Sequence, residues 1–315
     1  MYCIILLSLP LSGCLTQVSD QHDQILYVGS SSNEYPSIQA AIDHAHTGSI
    51  IKIASGIFYE TPIINKPIQL IGSSNDSTII NPERNYSKNE FNTITIIADN
   101  CTIKNISVTR GNASSNARGI VIKMNNATIL NTTVQGFSTG ILLEKKSSHT
   151  TITDTLITNN SYGIYATEST YNMISHNYFS LNSNYAIYFE LSDNNSLSQN
   201  FFTNNSDYAV RIKASIDNTI IENQFSNNNR GLYFCCGSTN NLIYGNNFIN
   251  NTEFHASEAP GNINVWYSTQ QKLGNYWDDY NGTDTNGDGI GETFYTVPMN
   301  NGTDMHPLIT PRTFP

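Results

Sequence analysis

The chain has 315 residues and a formal net charge of -10, with 38% hydrophobic and only 13% charged residues. The acidic balance argues against a nucleic-acid partner, which needs a basic stripe, and no run after residue 15 is apolar and long enough to span a bilayer. Few charges among many Asn, Ser and Thr suit a narrow core wrapped in neutral polar turns.

Ile4 to Leu11 is a short apolar stretch of the signal-peptide kind. It ends in Leu11-Ser12-Gly13-Cys14, which resembles a lipobox. Residues 1–14 are therefore expected to be removed up to Cys14, which becomes the lipidated N-terminus. No Lys or Arg precedes Cys14, a departure from the usual basic start. The reading is an extracytoplasmic protein that meets the membrane only through this anchor. Residues 15–34 read as a linker.

Tyr35 to Ala45 has apolar residues Ile38, Ala41, Ile42 and Ala45 at helical spacing, with Ser37 as N-cap and Gly48 as the stop. The spacing predicts a short helix lying over the open end of a solenoid, whose core must be capped at both ends. Gly56-Ile57-Phe58-Tyr59-Glu60 and Ile68-Gln69-Leu70-Ile71-Gly72 start the coil, and Glu83–Glu90 reads as a loop that bulges from it.

From Gly140 to Phe254 the sequence repeats about every 23 residues. Such a period signals stacked supersecondary units. Each repeat holds three short runs rich in Ile, Val, Phe, Tyr and Thr, broken by Asn, Ser and Gly, which are strands between turns. Ile141, Ile164, Ile187, Val210 and Leu232 form one column; Leu143, Ala166, Phe189, Ile212 and Phe234 form another two residues on. Alternation puts both columns inward. Asn177, Asn200, Asn223 and Asn246 align, as do Asn182, Asn205, Asn228 and Asn251. Asn tolerates the left-handed backbone of a tight corner, and its amide can pair with the Asn of the next rung. Residues 50–270 allow about nine or ten rungs. The fold class is all-β, a parallel β-solenoid with a capping helix over residues 35–270, followed by a C-terminal cap over 271–315.

Cys101 stands alone, and Cys235-Cys236, neighbours in a strand, are expected to face opposite sides. The Asn-X-Ser/Thr sequons, including Asn75, Asn112, Asn194, Asn281 and Asn301, are possible glycan sites that the repeat itself also generates.

The C-terminal segment reads Gly274-Asn275-Tyr276-Trp277-Asp278-Asp279-Tyr280, then Asp284-Thr285-Asn286-Gly287-Asp288-Gly289-Ile290-Gly291-Glu292, then His306-Pro307-Leu308. With the Pro-Ser-Ile-Gln-Ala-Ala-Ile helix and the Asn-X-Phe rungs, this resembles the NosD-like family of exported parallel β-helix proteins. The resemblance covers nearly all of the mature chain and implies a right-handed parallel β-helix outside the cytoplasm. The family name attaches to copper delivery for nitrous oxide reductase, and related repeats occur in sugar-binding and sugar-cleaving proteins.

Asp284, Asn286 and Asp288 occupy positions 1, 3 and 5 of a calcium-type loop, with Gly289 at the turn and the Ile290 carbonyl at position 7. Tyr295 stands where the bidentate Glu belongs, so Glu292, Asp278 or Asp279 would have to substitute. Copper needs soft or imidazole ligands; Met299, Met305, His306, His44 and His46 are the candidates, and none forms a tight motif. Arg211-Ile212-Lys213 matches a polygalacturonase tripeptide without its companion motifs. Glu144 and Glu190 share a column two rungs apart, about 9.6 Å by strand spacing, with Thr167 between them, and nothing marks either as acid or base.

Tyr162, Tyr185 and Tyr208 form one outward column; Tyr165, Tyr188, Arg211 and Tyr233 form the next. Such a stripe offers apolar faces and polar tips to a glycan, although Tyr also simply suits exposed strands. The sequence thus favours non-catalytic binding of a surface polysaccharide. The alternatives are a periplasmic copper-binding accessory protein and a polysaccharide lyase, epimerase or hydrolase.

Overall fold

The computed structural model describes residues 24–29, 34–82, 91–110, 116–300 and 302–314. The signal segment with Cys14, the Glu83–Glu90 loop and the sequons at Asn112 and Asn301 lie outside them.

One coil shows the construction. The strand Met173–Ser175 lies on a first face, Tyr178–Ser180 on a second and Tyr185–Glu190 on a third. The chain turns at His176, Leu181, Leu191 and Asn194, whose φ values are 56°, 55°, 51° and 57°. Repetition builds three parallel sheets of ten, ten and nine strands. The two expected apolar columns pair in register and are wholly buried.

The corners differ from the sequence expectation in one respect. The left-handed residue is not the laddering Asn but the one before it: His176 precedes Asn177, and Leu181 precedes Asn182. The left-handed residue swings the chain so that the next side chain points inward, leaving its amide free for the neighbouring rung. Asn177 donates from Nδ2 and from its backbone N–H to Asn200 Oδ1, both at 3.0 Å, and again from Nδ2 to the Ile152 carbonyl at 2.8 Å. The same bonds continue through Asn223 and Asn246 to Asn275. A second ladder runs from Asn182 to Asn251. Two further ladders were not expected: Asn172, Asn195, Asn218, Asn241 and Asn264, and Ser169, Ser192, Ser215 and Ser238. Buried amides reach full pairing this way.

The interior also carries an aromatic stack. Phe179, Phe202, Phe225 and Phe248 have centroids 4.8, 4.9 and 4.9 Å apart, and Trp277 and Tyr295 extend the series at 4.4 and 4.2 Å.

At the N-terminal end the helix spans Ile38–His44. Ser37 caps it, with Oγ accepting from Ala40 N, and Ile38, Ala41 and Ile42 are buried. The helix stops before Gly48, because Ala45 is already extended. The stretch read as a linker supplies the first strand instead: Ile25–Val28 pairs with Ile50–Ile53. Its alternation explains this, since Leu26 and Val28 are buried while Ile25 and Tyr27 face out. At the other end an antiparallel hairpin, Tyr295–Val297 with Gly302–Asp304, closes the core. Among the described residues no helix is long and apolar enough to cross a membrane.

Candidate functional site

The third face places the predicted tyrosines as the alternation requires. Tyr162, Tyr185 and Tyr208 are paired rung to rung, as are Tyr165, Tyr188, Arg211 and Tyr233. All are half-buried. Their rings stack on one another: Tyr165 on Tyr188 at 5.2 Å, Tyr185 on Tyr188 at 5.0 Å, Tyr185 on Tyr208 at 5.4 Å and Tyr208 on Tyr233 at 5.6 Å. With interplanar angles of 17°, 22°, 19° and 26°, these ring faces turn toward one another, across rungs and, for Tyr185 and Tyr188, along one strand. The stacked faces of Tyr165, Tyr185, Tyr188, Tyr208 and Tyr233 are engaged by their neighbours, and Tyr162 meets its neighbours tilted.

Arg211 sits in the middle. Its guanidinium lies 5.6–5.9 Å from the centroids of Tyr188, Tyr185, Tyr208 and Tyr233. It donates to Tyr185 Oη at 2.8 Å and to Cys235 Sγ at 3.6 Å. Among the described residues it has no carboxylate at ion-pair distance, whereas the cations around it do. Lys213 reaches Glu190 at 2.7 Å, Lys123 reaches Glu144 at 3.3 Å, and Arg230 bridges Asp207 and Glu253.

The titration of this face runs against acid–base catalysis. The bond from Lys213, and then that from Tyr165 Oη at 2.5 Å, hold Glu190 below the usual carboxylate range. Burial pushes the phenols of Tyr162, Tyr165, Tyr188, Tyr208 and Tyr233 up. A Glu190 carboxyl held toward its ionised form is less available as a general acid, and phenols held toward their neutral form are less available as bases.

At the C-terminal end the structure gathers a group that sequence reasoning missed. His255, Asp278 and Asp279 converge, the only such trio of potential metal ligands among the described residues. His255 Nε2 lies 2.7 Å from Asp278 Oδ1 and 3.6 Å from Asp279 Oδ1. Gly231 makes room for this rung: a Cβ there would come within 1.9 Å of the His255 carbonyl. The hydrogen-bond network assigns the imidazole a tautomer. Asn251 Oδ1 accepts from Asn228, so its Nδ2 must face the Phe225 carbonyl and His255 Nδ1, at 2.9 and 3.3 Å. Nδ1 therefore accepts, and Nε2 carries the proton toward Asp278. A His far from its partners in sequence and outside any motif gave no signal.

The Asp284–Glu292 loop is closed by its own backbone. Asp284 accepts from Gly287, Asp288 and Gly289 N–H, and Asp288 accepts from Ile290 N–H. Glu292 turns to Thr285, and Tyr295 turns to Asp279. Met299 and Met305 are exposed, His306 packs edge-on against Tyr267, His44 packs on Tyr35, and His46 lies beyond the helix. The strand ends at Cys235, and Cys236 turns with φ 62°, so strand alternation does not carry across the pair as expected.

This architecture defines an all-β parallel β-solenoid of about 9 turns. The model of the family described as "Periplasmic copper-binding protein (NosD)" matches residues 47–282, and the chain belongs to that family. The description agrees with an extracytoplasmic location. No curated protein matches the sequence. Among solved structures, the Dettilon tailspike protein aligns with TM-score 0.57 at 14% identity, covering 80% of this chain and 62% of that one. The alginate lyase of Paenibacillus sp. FPU-7 aligns with TM-score 0.53 at 16% identity, covering 76% and 95%. The pectate lyase Pel9A aligns with TM-score 0.50 at 16% identity, covering 83% and 71%. The chain spans between 43% and 52% of the length of the virus and bacteriophage proteins it matches. At these identities the likeness is one of fold.

Proposed function

We propose that the third face binds an extended acidic polysaccharide at the cell surface without cleaving it. The observation that carries this reading is Arg211, a cation ringed by four tyrosines and without a carboxylate partner among the described residues. A guanidinium matches a carboxylate in two hydrogen bonds. The flanking phenol hydroxyls recur at the rung spacing of about 4.8 Å, close to the advance of one sugar in an extended chain. Because the stacked ring faces are engaged by each other, sugars would meet the phenol hydroxyls. Two structural neighbours are named for polysaccharides, alginate and pectate, but share only the fold.

Calorimetry with a polyuronate tests the proposal. Weak binding in the micromolar-to-millimolar range is expected, lost in Tyr188→Ala/Arg211→Ala with unchanged circular dichroism. Absence of binding to every acidic glycan tried overturns it.

The family description favours copper binding as a second reading. The donor chemistry decides which residues fit. His255 does not, because its Nε2 carries a proton whose transfer to Nδ1 would set two N–H groups against each other at Asn251. Cys235, buried, and Cys236, exposed, offer the soft sulfur chemistry that selects Cu(I); bound on this face, the ion would be carried as cargo. The Asp284–Glu292 loop is proposed as a Ca2+ site on its hard oxygen donors.

A further inference from the structure

We infer that the third face recognises a single carboxylate set among uncharged sugars, so that its preferred ligand is a heteropolysaccharide with sparse acidic residues and not an unbroken polyuronate. The inference rests on the reading of this face as an acidic-polysaccharide site and names the ligand class more closely.

Arg211 has a grip for one carboxylate. One N–H of Nη1 goes to Tyr185 Oη at 2.8 Å and one of Nη2 to Cys235 Sγ at 3.6 Å. Among the described residues Nε is buried with no hydrogen-bond partner, so a ligand reaches only the terminal nitrogens. Each of these keeps one further N–H, and two such groups side by side are what a bidentate carboxylate takes.

Among the described residues, the rungs of Tyr165, Tyr188 and Tyr233 offer no Lys or Arg without a carboxylate. One rung toward the N-terminus, Tyr188 pairs with Arg211, and Glu190 ends the same strand. Beyond it, Tyr165 pairs with Tyr188 and donates from Oη to Glu190 at 2.5 Å. One rung toward the C-terminus, Tyr233 pairs with Arg211. Its strand begins at Arg230, which holds both Asp207 and Glu253, at 2.5 and 2.7 Å, and so carries an excess of negative charge. Lys213, on Arg211's own strand, is held by Glu190 at 2.7 Å.

A glycan lying along the axis advances about one sugar per rung. With one carboxylate on Arg211, a charged neighbour on one side would come beside Glu190, and on the other beside the Asp207–Arg230–Glu253 cluster. Reaching Lys213 or Arg230 instead would displace an acid and leave it unpaired next to the ligand. Like charges so placed act against that ligand. A neutral sugar meets phenol hydroxyls there, which donate and accept without such repulsion.

Calorimetry on the full chain, at several salt concentrations, tests this with three tetrasaccharides: one neutral, one with a single internal uronate and one with four. The singly charged one should bind several-fold tighter than the fully charged one, once the about four-fold statistical advantage of four carboxylates is divided out, and about tenfold tighter than the neutral one. Its log K should fall with log salt at a slope of about one or less, since one carboxylate is neutralised. Glu190→Gln should improve the fully charged ligand several-fold and leave the singly charged one nearly unchanged, whereas a structural effect would move both alike. Arg211→Met should erase the preference for the singly charged over the neutral ligand. Tighter binding of the fully charged tetrasaccharide, beyond the statistical factor, overturns this inference and leaves the acidic-polysaccharide reading standing. So does binding of a long polyuronate with no tetrasaccharide bound. Equal binding of all three tetrasaccharides, or no binding of any of them or of a polyuronate, overturns both.

Discussion

The backbone N–H of Asn275 donates to Asp304 Oδ2 at 2.7 Å, and both residues are out of reach of solvent. This contact ends an amide ladder, and the other two Asn ladders end alike. Every ladder amide points its NH2 toward the C-terminal end, so the last rung presents unpaired donors there. Asn264 gives its Nδ2 to Glu258 Oε2 at 2.8 Å and Asn251 to His255 Nδ1, while Asn275, whose Nδ2 also reaches the Trp266 and Ile243 carbonyls, gives its backbone N–H to Asp304. Glu258 occupies an inward position, beside Phe234 in the register, where an acid otherwise has no place. The cap thus supplies one acceptor per Asn ladder, meeting the rule that buried polar groups find partners.

Asp304 should make the cap sensitive to pH. Burial pushes its carboxyl up to about 6 from 3.8, against N–H donors from Asn275, Trp277 and His306. The folded-state value lies above the unfolded one. The contribution is therefore complete below about pH 4 and lost as pH rises through about 6. At roughly 1.4 kcal/mol per unit it amounts to about 3 kcal/mol. Glu258 is raised by burial in the same direction. Melting temperatures of wild type and Asp304→Asn across this window check the claim. The slope should be shallower in the variant, which is also less stable throughout because its NH2 faces other donors.

The ladders distinguish an amide from its isosteres. Asn200→Ala leaves both donors of Asn177 without Oδ1, at about 1–3 kcal/mol for each orphaned group. Asn200→Asp keeps those bonds but turns an oxygen on the Ile174 carbonyl and Asn223 Oδ1, which now accept from Nδ2 at 2.8 and 3.0 Å. Denaturant unfolding should rank the aspartate variant below the alanine one. The opposite rank would mean that the ladder amides point the other way.

Phe225→Asp should abolish the folded rod. Phe225 is wholly buried between Phe202 and Phe248, and an unpaired charge there costs several kcal/mol. Unchanged circular dichroism and melting temperature would count against the stacked interior.

Calcium should raise thermal stability through the Asp284–Glu292 loop, since a ligand of the native state adds RT ln(1 + [L]/Kd). Asp288→Ala should remove the rise. Identical melting in EDTA and in millimolar-range calcium refutes a stabilising site.

The period of about 23 residues, with Ile164, Ile187 and Val210 in one column, was enough to read the solenoid, its inward columns and its outward tyrosines. That follows because a solenoid contact joins residues one repeat apart, so neighbours in space are neighbours in the repeat. Two of the Asn ladders were legible for the same reason. Side-chain orientation was not. The repeat aligns Tyr165 with Tyr188 but does not say that their rings stack on each other and hide their faces. The C-terminal end was least legible, because its contacts break the period. Asn275 meets Asp304 across 29 residues and Asn264 meets Glu258 across 6. His255 and Glu258 from the last rung's strand, and Asp304 from the closing hairpin, serve donors that the repeat leaves over, and only the closed tertiary structure brings them together.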